Sequence, residues 1–243
     1  MLTILLYSCS DEEVNEVYSD IPAIELQSIE FIDASGIQDT IKVIISYTDG
    51  DGNLGIAPRE TTAPFNQRNY FSNKTGDLFD FETESVDDLM TISDAQVIDT
   101  LPPFSGDYIC YNWDTRPELY LNDGSQLQDT VYFQFNPYFY NYIVDFYVDD
   151  GSGFKIFDWR REIDCSQNYN GRFPKIGDRD EVQTITEGAF IVKKFYNTGT
   201  IEYNLVGSGF KPIFKGKSIK LRLQIIDRAL NKSNRIETAE LSF

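Results

Sequence analysis

The chain contains 243 residues, and its aromatic content of 14% argues against a disordered protein, because disordered chains lack the side chains for a packed core. A formal net charge of −18 argues against nucleic acid and anionic lipid head groups as partners, since both are polyanions. The sequence has no histidine, which removes Ser-His and Cys-His catalysis, histidine-bound zinc and histidine-based acid–base chemistry.

The first thirteen residues predict where the protein is located. A short apolar run leads to Cys9, and the acidic stretch Ser10, Asp11, Glu12 and Glu13 follows directly. The run and the cysteine resemble the end of a bacterial lipoprotein signal peptide, in which the cysteine is lipidated after cleavage. The acidic stretch resembles the signal that sends Bacteroidota lipoproteins to the outer face of the outer membrane. An ordinary buried apolar strand with a chance cysteine is the alternative.

This resemblance implies a folded body tethered to a membrane. Residues 1–8 are then the remainder of a signal peptide whose true start lies upstream, and residues 9–23 are the lipidated cysteine and an acidic linker. Residues 24–243 form the folded domain. No stretch after Cys9 approaches the roughly 20 apolar residues of a membrane helix, so we expect the protein to be anchored and not to span the membrane.

The cysteines give a second expectation. The chain has three of them, which is an awkward number for an exported protein. If Cys9 carries the lipid, Cys110 and Cys165 remain, and we expect a disulfide between them in an oxidising compartment. Two separately buried thiols are the alternative.

Alternating apolar and polar residues predict strands along most of the chain, and Tyr, Phe, Thr, Ile and Val dominate these segments. The predicted strands cover residues 24–31, 40–48, 95–100, 107–113, 129–135, 138–149, 154–159, 184–194, 200–206, 218–226 and 235–243. A phase slip near Ser28 indicates a β-bulge, and residues 149–153 form the turn of a hairpin. Helical periodicity never lasts for a dozen residues, so we predict an all-β protein, in the form of a sandwich.

Two of the predicted strands end in the same way. Residues 41–49 align with residues 219–227, and an asparagine follows each final aspartate, Asp49 or Asp227, four positions later. Asp and Asn side chains fold onto nearby backbone N–H groups in tight turns, so we interpret the repeat as turn chemistry. Corresponding strands in two related halves of a sandwich are the alternative.

A second resemblance concerns both ends of the folded domain. Residues 226–234 resemble the turn between the last two strands of bacterial immunoglobulin-like or fibronectin-like domains. Together with residues 47–55, they resemble a set of Bacteroidota surface lipoproteins with one immunoglobulin-like body. The resemblance covers residues 24–56 and 200–243 and implies an immunoglobulin-like β-sandwich. Residues 57–190 depart from it, and we interpret them as a long, loop-rich insertion.

The loop after the second predicted strand contains a candidate calcium site. Asp49, Asp51 and Asn53 offer alternate oxygen ligands, and Glu60 stands at the twelfth position, where an EF-hand supplies a bidentate carboxylate. Leu54 occupies the sixth position, which is glycine in EF-hands, and the flanking segments are not helical. This is no EF-hand, and the pattern leaves open a calcium-binding loop or a metal-free Asp/Gly turn. Ca²⁺ is the one cofactor that the sequence suggests.

The aromatic-rich segment between residues 132 and 159 has two interpretations. One face of a strand in a sandwich is buried, which favours core positions for Tyr140, Tyr142 and Phe146. Aromatic rings on the exposed face stack on sugars or anchor a protein interface. The exposed positions predicted in this way are Phe139, Tyr147 and Trp159.

The sequence favours binding over catalysis. Acidic pairs such as Asp149-Asp150 are common in a chain with 39 acidic residues, and a glycosidase dyad depends on a separation in space that the sequence does not give. The lipoprotein resemblance and the long loops predict a non-enzymatic accessory subunit of an outer-membrane β-barrel complex for transport, protein export or assembly. A glycan-binding surface lipoprotein and a carboxylate-based glycoside hydrolase are the alternatives.

Overall fold

The computed structural model describes residues 18–33, 38–95, 113–164, 167–177, 182–207 and 209–243. The predictions for Cys9, for the acidic stretch at residues 10–13 and for the Cys110–Cys165 disulfide fall outside these ranges and stay predictions. Most of the predicted strands at residues 95–100 and 107–113 also lie outside. In the ranges that are described, no helix is long and apolar enough to cross a membrane.

Antiparallel strands dominate the described chain. In chain order they are β1 (Ala23–Ile32), β2 (Asp39–Thr48), β3 (Arg68–Tyr70), β4 (Trp113–Thr115), β5 (Thr130–Phe135), β6 (Tyr142–Asp149), β7 (Phe154–Phe157), β8 (Gln183–Glu187), β9 (Phe190–Phe195), β10 (Thr198–Gly207), β11 (Ser218–Ile225), β12 (Ile236–Glu237) and β13 (Leu241–Ser242). The short α-helices are α1 (Ile92–Ala95), α2 (Trp159–Glu162) and α3 (Phe210–Phe214). The prediction of an all-β protein is confirmed.

Two antiparallel sheets pack face to face as a sandwich. The first sheet has the strand order β1-β2-β10-β9-β8, and the second has the order β12-β11-β6-β7, with β13 pairing to β11. The alternation in β2 and β11 explains their central places, because every second side chain is fully buried and the others face outward. The predicted bulge is confirmed, since the register of β1 against β2 shifts between Leu26 and Ser28.

The core lies between the two sheets and is rich in aromatic rings. Tyr142 and Phe146 on β6 are buried as predicted, whereas Tyr140 before the strand is half-buried. Phe190 and Tyr203 of the first sheet stack at a centroid distance of 4.2 Å, and both rings contact Tyr142 of the second. Each large side chain buried in this way stabilises the fold by roughly 1.5–3 kcal/mol.

The described part of residues 57–137 forms a separate inserted lobe. It contains the three-stranded sheet β3-β5-β4 and clusters of its own around Val131 and Tyr132. The predicted insertion at residues 57–190 is therefore too long at its C-terminal end. Strands β6 to β9 follow the lobe in sequence but belong to the two sheets of the sandwich.

Two predicted strands are each divided into two. The segment 184–194 forms the hairpin β8-β9, and Gly188, with φ of +55°, lies in its turn. Glycine adopts this left-handed backbone without strain. The segment 235–243 holds β12 and β13, which pair with different parts of β11. In both segments the prediction was wrong because one alternation was extended across a break.

Candidate functional site

The turn after β2 buries a carboxylate that lacks a hydrogen-bond partner. Asp49 is 1% exposed, and neither of its carboxylate oxygens accepts a hydrogen bond from the described residues. Its backbone N–H donates to the carbonyl oxygen of Asn197 at 2.9 Å, next to the turn between β9 and β10. The chain is crowded here, because a Cβ atom at Gly50 would lie 2.3 Å from the carbonyl oxygen of Tyr18.

A second turn, which follows β11, lies against the first. Asp227 accepts hydrogen bonds from the backbone N–H and the side-chain Nδ2 of Asn231 at 2.7 and 2.8 Å. Asp51 in the first turn likewise accepts from the backbone N–H and Nδ2 of Asn53 at 3.2 and 2.6 Å. The backbone N–H of Arg228 donates to the carbonyl oxygen of Asn53 at 3.3 Å and joins the two turns. The sequence repeat therefore marks two turns that meet, one from each sheet.

The two turns concentrate negative charge around Asp49. Burial, reinforced by repulsion from Asp51 and Asp227, raises the pKa of Asp49 from 3.8 to about 7, while the nearby backbone N–H of Asn53 acts in the opposite direction. A cavity of about 10 Å³, roughly the size of one water molecule, lies beside Asp49 and is also lined by Tyr47 and Lys194. Burial raises the pKa of Tyr47 as well, and the Nζ of Lys194 donates to a backbone carbonyl oxygen at 2.6 Å.

Glu60 is committed to a different partner. Its two carboxylate oxygens each accept a hydrogen bond from the guanidinium of Arg228 at 2.5 Å, and one oxygen also accepts from the backbone N–H of Ala57 at 2.7 Å. The hydrogen bonds from Arg228 lower the pKa of Glu60 to about 2. Glu60 is thus held in an ion pair with Arg228, and its role as a bidentate calcium ligand stays a prediction.

The calcium prediction for Asp49, Asp51 and Asn53 stays untested by the geometry. Leu54, which occupies the sixth position of the loop, is 1% exposed and belongs to the core of the sandwich. Among the residues that the structure describes, no group of three Asp, Glu, Cys or His side chains is arranged to hold a metal ion.

A larger candidate site lies where the second sheet meets the inserted lobe. This cleft has a volume of about 500 Å³. The sandwich contributes Ile143 of β6 and Gln224 of β11, whose positions alternate with the buried residues of their strands. The lobe contributes Arg68 of β3 and Phe135 of β5. Residues from two further segments also line the cleft: Arg160, Asn168, Asn170, Lys232 and Arg235.

Aromatic rings and guanidinium groups lie together in this cleft. The ring of Phe135 is 39% exposed, and the guanidinium carbon of Arg160 lies 4.5 Å from its centroid. Arg68 lies 4.6 Å above the ring of Phe133 and forms an ion pair with Asp114. Such cation–π contacts hold both the ring and the cation in fixed positions.

No family model, curated protein or solved structure matches the chain. Its cleft must therefore be interpreted from its own residues.

The outer face of the second sheet continues the surface of the cleft. Tyr147 is half-buried there, with the guanidinium of Arg222 at 4.5 Å from its ring centroid. Lys220 similarly lies 4.4 Å from the ring of Phe154. The neighbouring Ile156, opposite Tyr147 in the sheet, is 64% exposed. This face therefore presents basic and apolar groups side by side.

The surface predictions for the aromatic residues have different outcomes. Trp159 is 6% exposed, so its predicted surface position is wrong. It belongs to α2, and its ring packs edge-on against Phe146 and Tyr169 in the core. Phe139 is half-buried, with Arg172 at 4.7 Å from its ring. Of the three, Tyr147 lies on the face that extends from the cleft.

Arg172 is a structural residue that the sequence did not reveal. Its Nη1 donates to the carbonyl oxygens of Phe65 and Phe139 at 3.2 Å each. Its Nη2 donates to those of Ala57 and Glu60 at 3.1 and 2.9 Å. One guanidinium thus joins the start of the inserted lobe to the segment before β6. An arginine in an irregular segment gives no local signal of this role.

Proposed function

We propose that the protein is a non-enzymatic glycan-binding protein displayed on the outer-membrane surface. The observation that carries the proposal is the cleft of about 500 Å³ between the second sheet and the inserted lobe. Its volume suits a small ligand or a few units of a chain, and such concave sites are where proteins bind small molecules.

The chemistry of the cleft favours a sugar. Phe135 offers an apolar ring for stacking, and Asn168, Asn170 and Gln224 bring side-chain amides to the same site. Sugars have apolar ring faces and a rim of hydroxyl groups that both donate and accept hydrogen bonds. Aromatic rings beside amides match both features, whereas a site for a purely apolar ligand would not need so many polar groups.

The cleft favours binding over hydrolysis. Its lining, as far as the structure describes it, includes no Asp or Glu, and carboxylate-based glycosidases need two carboxyl groups across the bond that is cut. The acidic pair noted in the sequence serves a turn, because Asp149 and Asp150 accept hydrogen bonds from the backbone N–H groups of Gly151 and Ser152.

We expect Phe135→Ala to weaken glycan binding about tenfold, because the exposed ring is lost while the amides remain. Affinity electrophoresis in gels that contain soluble polysaccharides, followed by calorimetry on the best oligosaccharide, measures the effect. Phe195→Ala is the matched control, since Phe195 is an exposed phenylalanine of the first sheet. Equal binding by both variants and the unaltered protein would place the sugar elsewhere, and no retardation on any polysaccharide would overturn the proposal.

The sequence near Cys9 supports a partner for this binding protein. A receptor that is lipid-anchored at the cell surface would deliver its ligand to an outer-membrane β-barrel complex, which moves the ligand across the membrane. Pull-down of the tagged, lipidated protein from outer membranes in mild detergent tests this part. We expect a stoichiometric barrel protein, and recovery of the protein alone would remove the partner.

A further inference from the structure

The charge of the cleft is opposite to the charge of the whole protein. The chain carries 39 acidic and 21 basic residues, yet the described lining of the cleft contains four basic residues and no acidic residue. The four are Arg68, Arg160, Lys232 and Arg235. Acidic side chains are plentiful elsewhere, so their exclusion from this lining calls for an explanation in terms of what the cleft binds.

The four cations come from three separate segments. Arg68 belongs to β3 of the inserted lobe, Arg160 to α2, and Lys232 and Arg235 to the chain between β11 and β12. Positive groups that converge from distant parts of the sequence and share a concave site reinforce one another, because a cleft with low-dielectric walls focuses their field.

Two of these cations are available to a ligand. Lys232 and Arg235 are exposed, and neither lies within 4 Å of a carboxylate in the described chain. The Nζ of Lys232 is 6.0 Å from the ring of Tyr138, and the Nε of Arg235 donates a long hydrogen bond of 3.4 Å to Gln224. Arg68, by contrast, already pairs with Asp114.

One acidic group of the second sheet, Asp145, interacts with a cation of the cleft but does not line it. Asp145 of β6 faces outward and lies opposite Arg222 of β11. Burial raises the pKa of Asp145, and the positive charges of Arg235 and Arg222 act in the opposite direction. Arg222 is itself paired with Glu237, and Arg235 has Asp145 as an acidic neighbour, whereas Lys232 has no carboxylate within 4 Å in the described chain.

We infer that the ligand of the cleft is an acidic oligosaccharide, whose carboxylate or sulfate groups are bound by Lys232 and Arg235. This inference rests on the proposed function and adds the class of the glycan. A planar guanidinium donates two parallel hydrogen bonds to a carboxylate or sulfate, and a lysine adds a compact positive charge. The amides and Phe135 then bind the neutral parts of the sugar rings, which leaves each type of lining residue with a partner.

Three matched probes test the inference by calorimetry at fixed ionic strength. They are a galacturonic acid hexamer, its methyl ester and a sulfated galactose hexamer. The ester keeps the sugar rings and removes the charge. We expect the unaltered protein to bind at least one of the two anionic probes ten times more tightly than the ester, and a preference between these two assigns the anion as carboxylate or sulfate.

The variant K232Q/R235Q is expected to weaken binding of the preferred anionic probe at least tenfold and to leave binding of the ester unchanged. K193Q/K215Q is the matched control, because it removes two basic side chains that do not line the cleft. Both altered positions are exposed, and equal melting temperatures of the two double variants show that each is folded. Equal affinity for acid and ester overturns the inference and leaves the proposed function standing. Failure of all three probes, with no retardation on any polysaccharide, overturns both.

Discussion

Asp49→Asn is expected to stabilise the protein at pH 8 by about 2–4 kcal/mol. The carboxylate of Asp49 is 1% exposed, has no described hydrogen-bond partner and faces the negative charges of Asp51 and Asp227. At pH 8 it is ionised in the native protein at a cost, because its pKa of about 7 lies well above the ordinary value of 3.8. Asparagine has nearly the same shape and carries no charge, and its amide is able to donate to Asp51.

The direction of the pH dependence follows from the raised pKa. Between about pH 4 and pH 7 the native state keeps a proton on Asp49 that the unfolded state releases. This contribution to stability is complete below pH 4, falls as the pH rises towards 7, and is absent at pH 8. Glu60, with its pKa lowered to about 2, contributes in the opposite direction at more acidic pH. The difference in the free energy of unfolding between the unaltered protein and the Asp49→Asn variant cancels the contribution of Glu60 and of other groups that the substitution leaves unchanged.

Urea unfolding of the unaltered protein and of the Asp49→Asn variant, at pH 5 and at pH 8 with chelator present, measures this difference in the free energy of unfolding. We expect the variant's advantage to be larger at pH 8 by at least 1 kcal/mol. Asp20→Asn is the control, since Asp20 is exposed and the change in charge is the same. An advantage that does not vary with pH would show that Asp49 ionises normally in the native state.

The same variants examine the calcium prediction separately. Calcium that binds the native turn raises the free energy of unfolding in proportion to the logarithm of its concentration. If Asp49 is a ligand, millimolar calcium raises the melting temperature of the native protein and leaves that of the Asp49→Asn variant unchanged. Identical melting of the native protein in calcium and in chelator removes the prediction.

Local alternation was enough to predict most of the sandwich. β2, β6 and β11 have a period of two over eight or more residues, and such a pattern needs no knowledge of the partner strand. Prediction failed where the pattern continued past the end of an element. Trp159 was placed on the surface because alternation from β7 was extended to it. Asp158 instead caps α2 by accepting a hydrogen bond from the backbone N–H of Arg160, and the helix turns the tryptophan inward.

The cleft had no local signal in the sequence. Its lining comes from both sheet strands and loops, and only the packing of the inserted lobe brings Phe135 next to Arg160. The signal available in the sequence was composition, since basic residues are scarce in this acidic chain. Likewise, the repeat that ends in Asp49 and Asp227 was visible, but the meeting of the two turns depends on the sheets facing each other.

The guanidinium of Arg172 helps to hold the inserted lobe in position, together with the ion pair of Arg228 and Glu60. Arg172 donates to four carbonyl oxygens on both sides of the junction, those of Ala57, Glu60, Phe65 and Phe139, and few other side chains present enough donors in one plane. Removing the guanidinium leaves the carbonyl oxygens of Glu60, Phe65 and Phe139 without a described donor, whereas that of Ala57 still accepts from the backbone N–H of Glu60 at 3.0 Å. The cost of each unpaired buried acceptor is about 1 kcal/mol or more, although water replaces part of it because Arg172 is half-buried.

We therefore expect Arg172→Met, which keeps the length of the side chain and removes every donor, to lower the free energy of unfolding by about 2–4 kcal/mol. Arg172→Lys should recover less than half of this loss, because a single ammonium has too few donors to reach four carbonyl groups. Arg59→Met is the control, since Arg59 is exposed in the same stretch of the lobe. Urea unfolding followed by tryptophan fluorescence measures all three variants. Full recovery in Arg172→Lys would show that the positive charge holds the lobe. A loss in Arg172→Met no larger than that in Arg59→Met would show that the four hydrogen bonds do not stabilise the lobe.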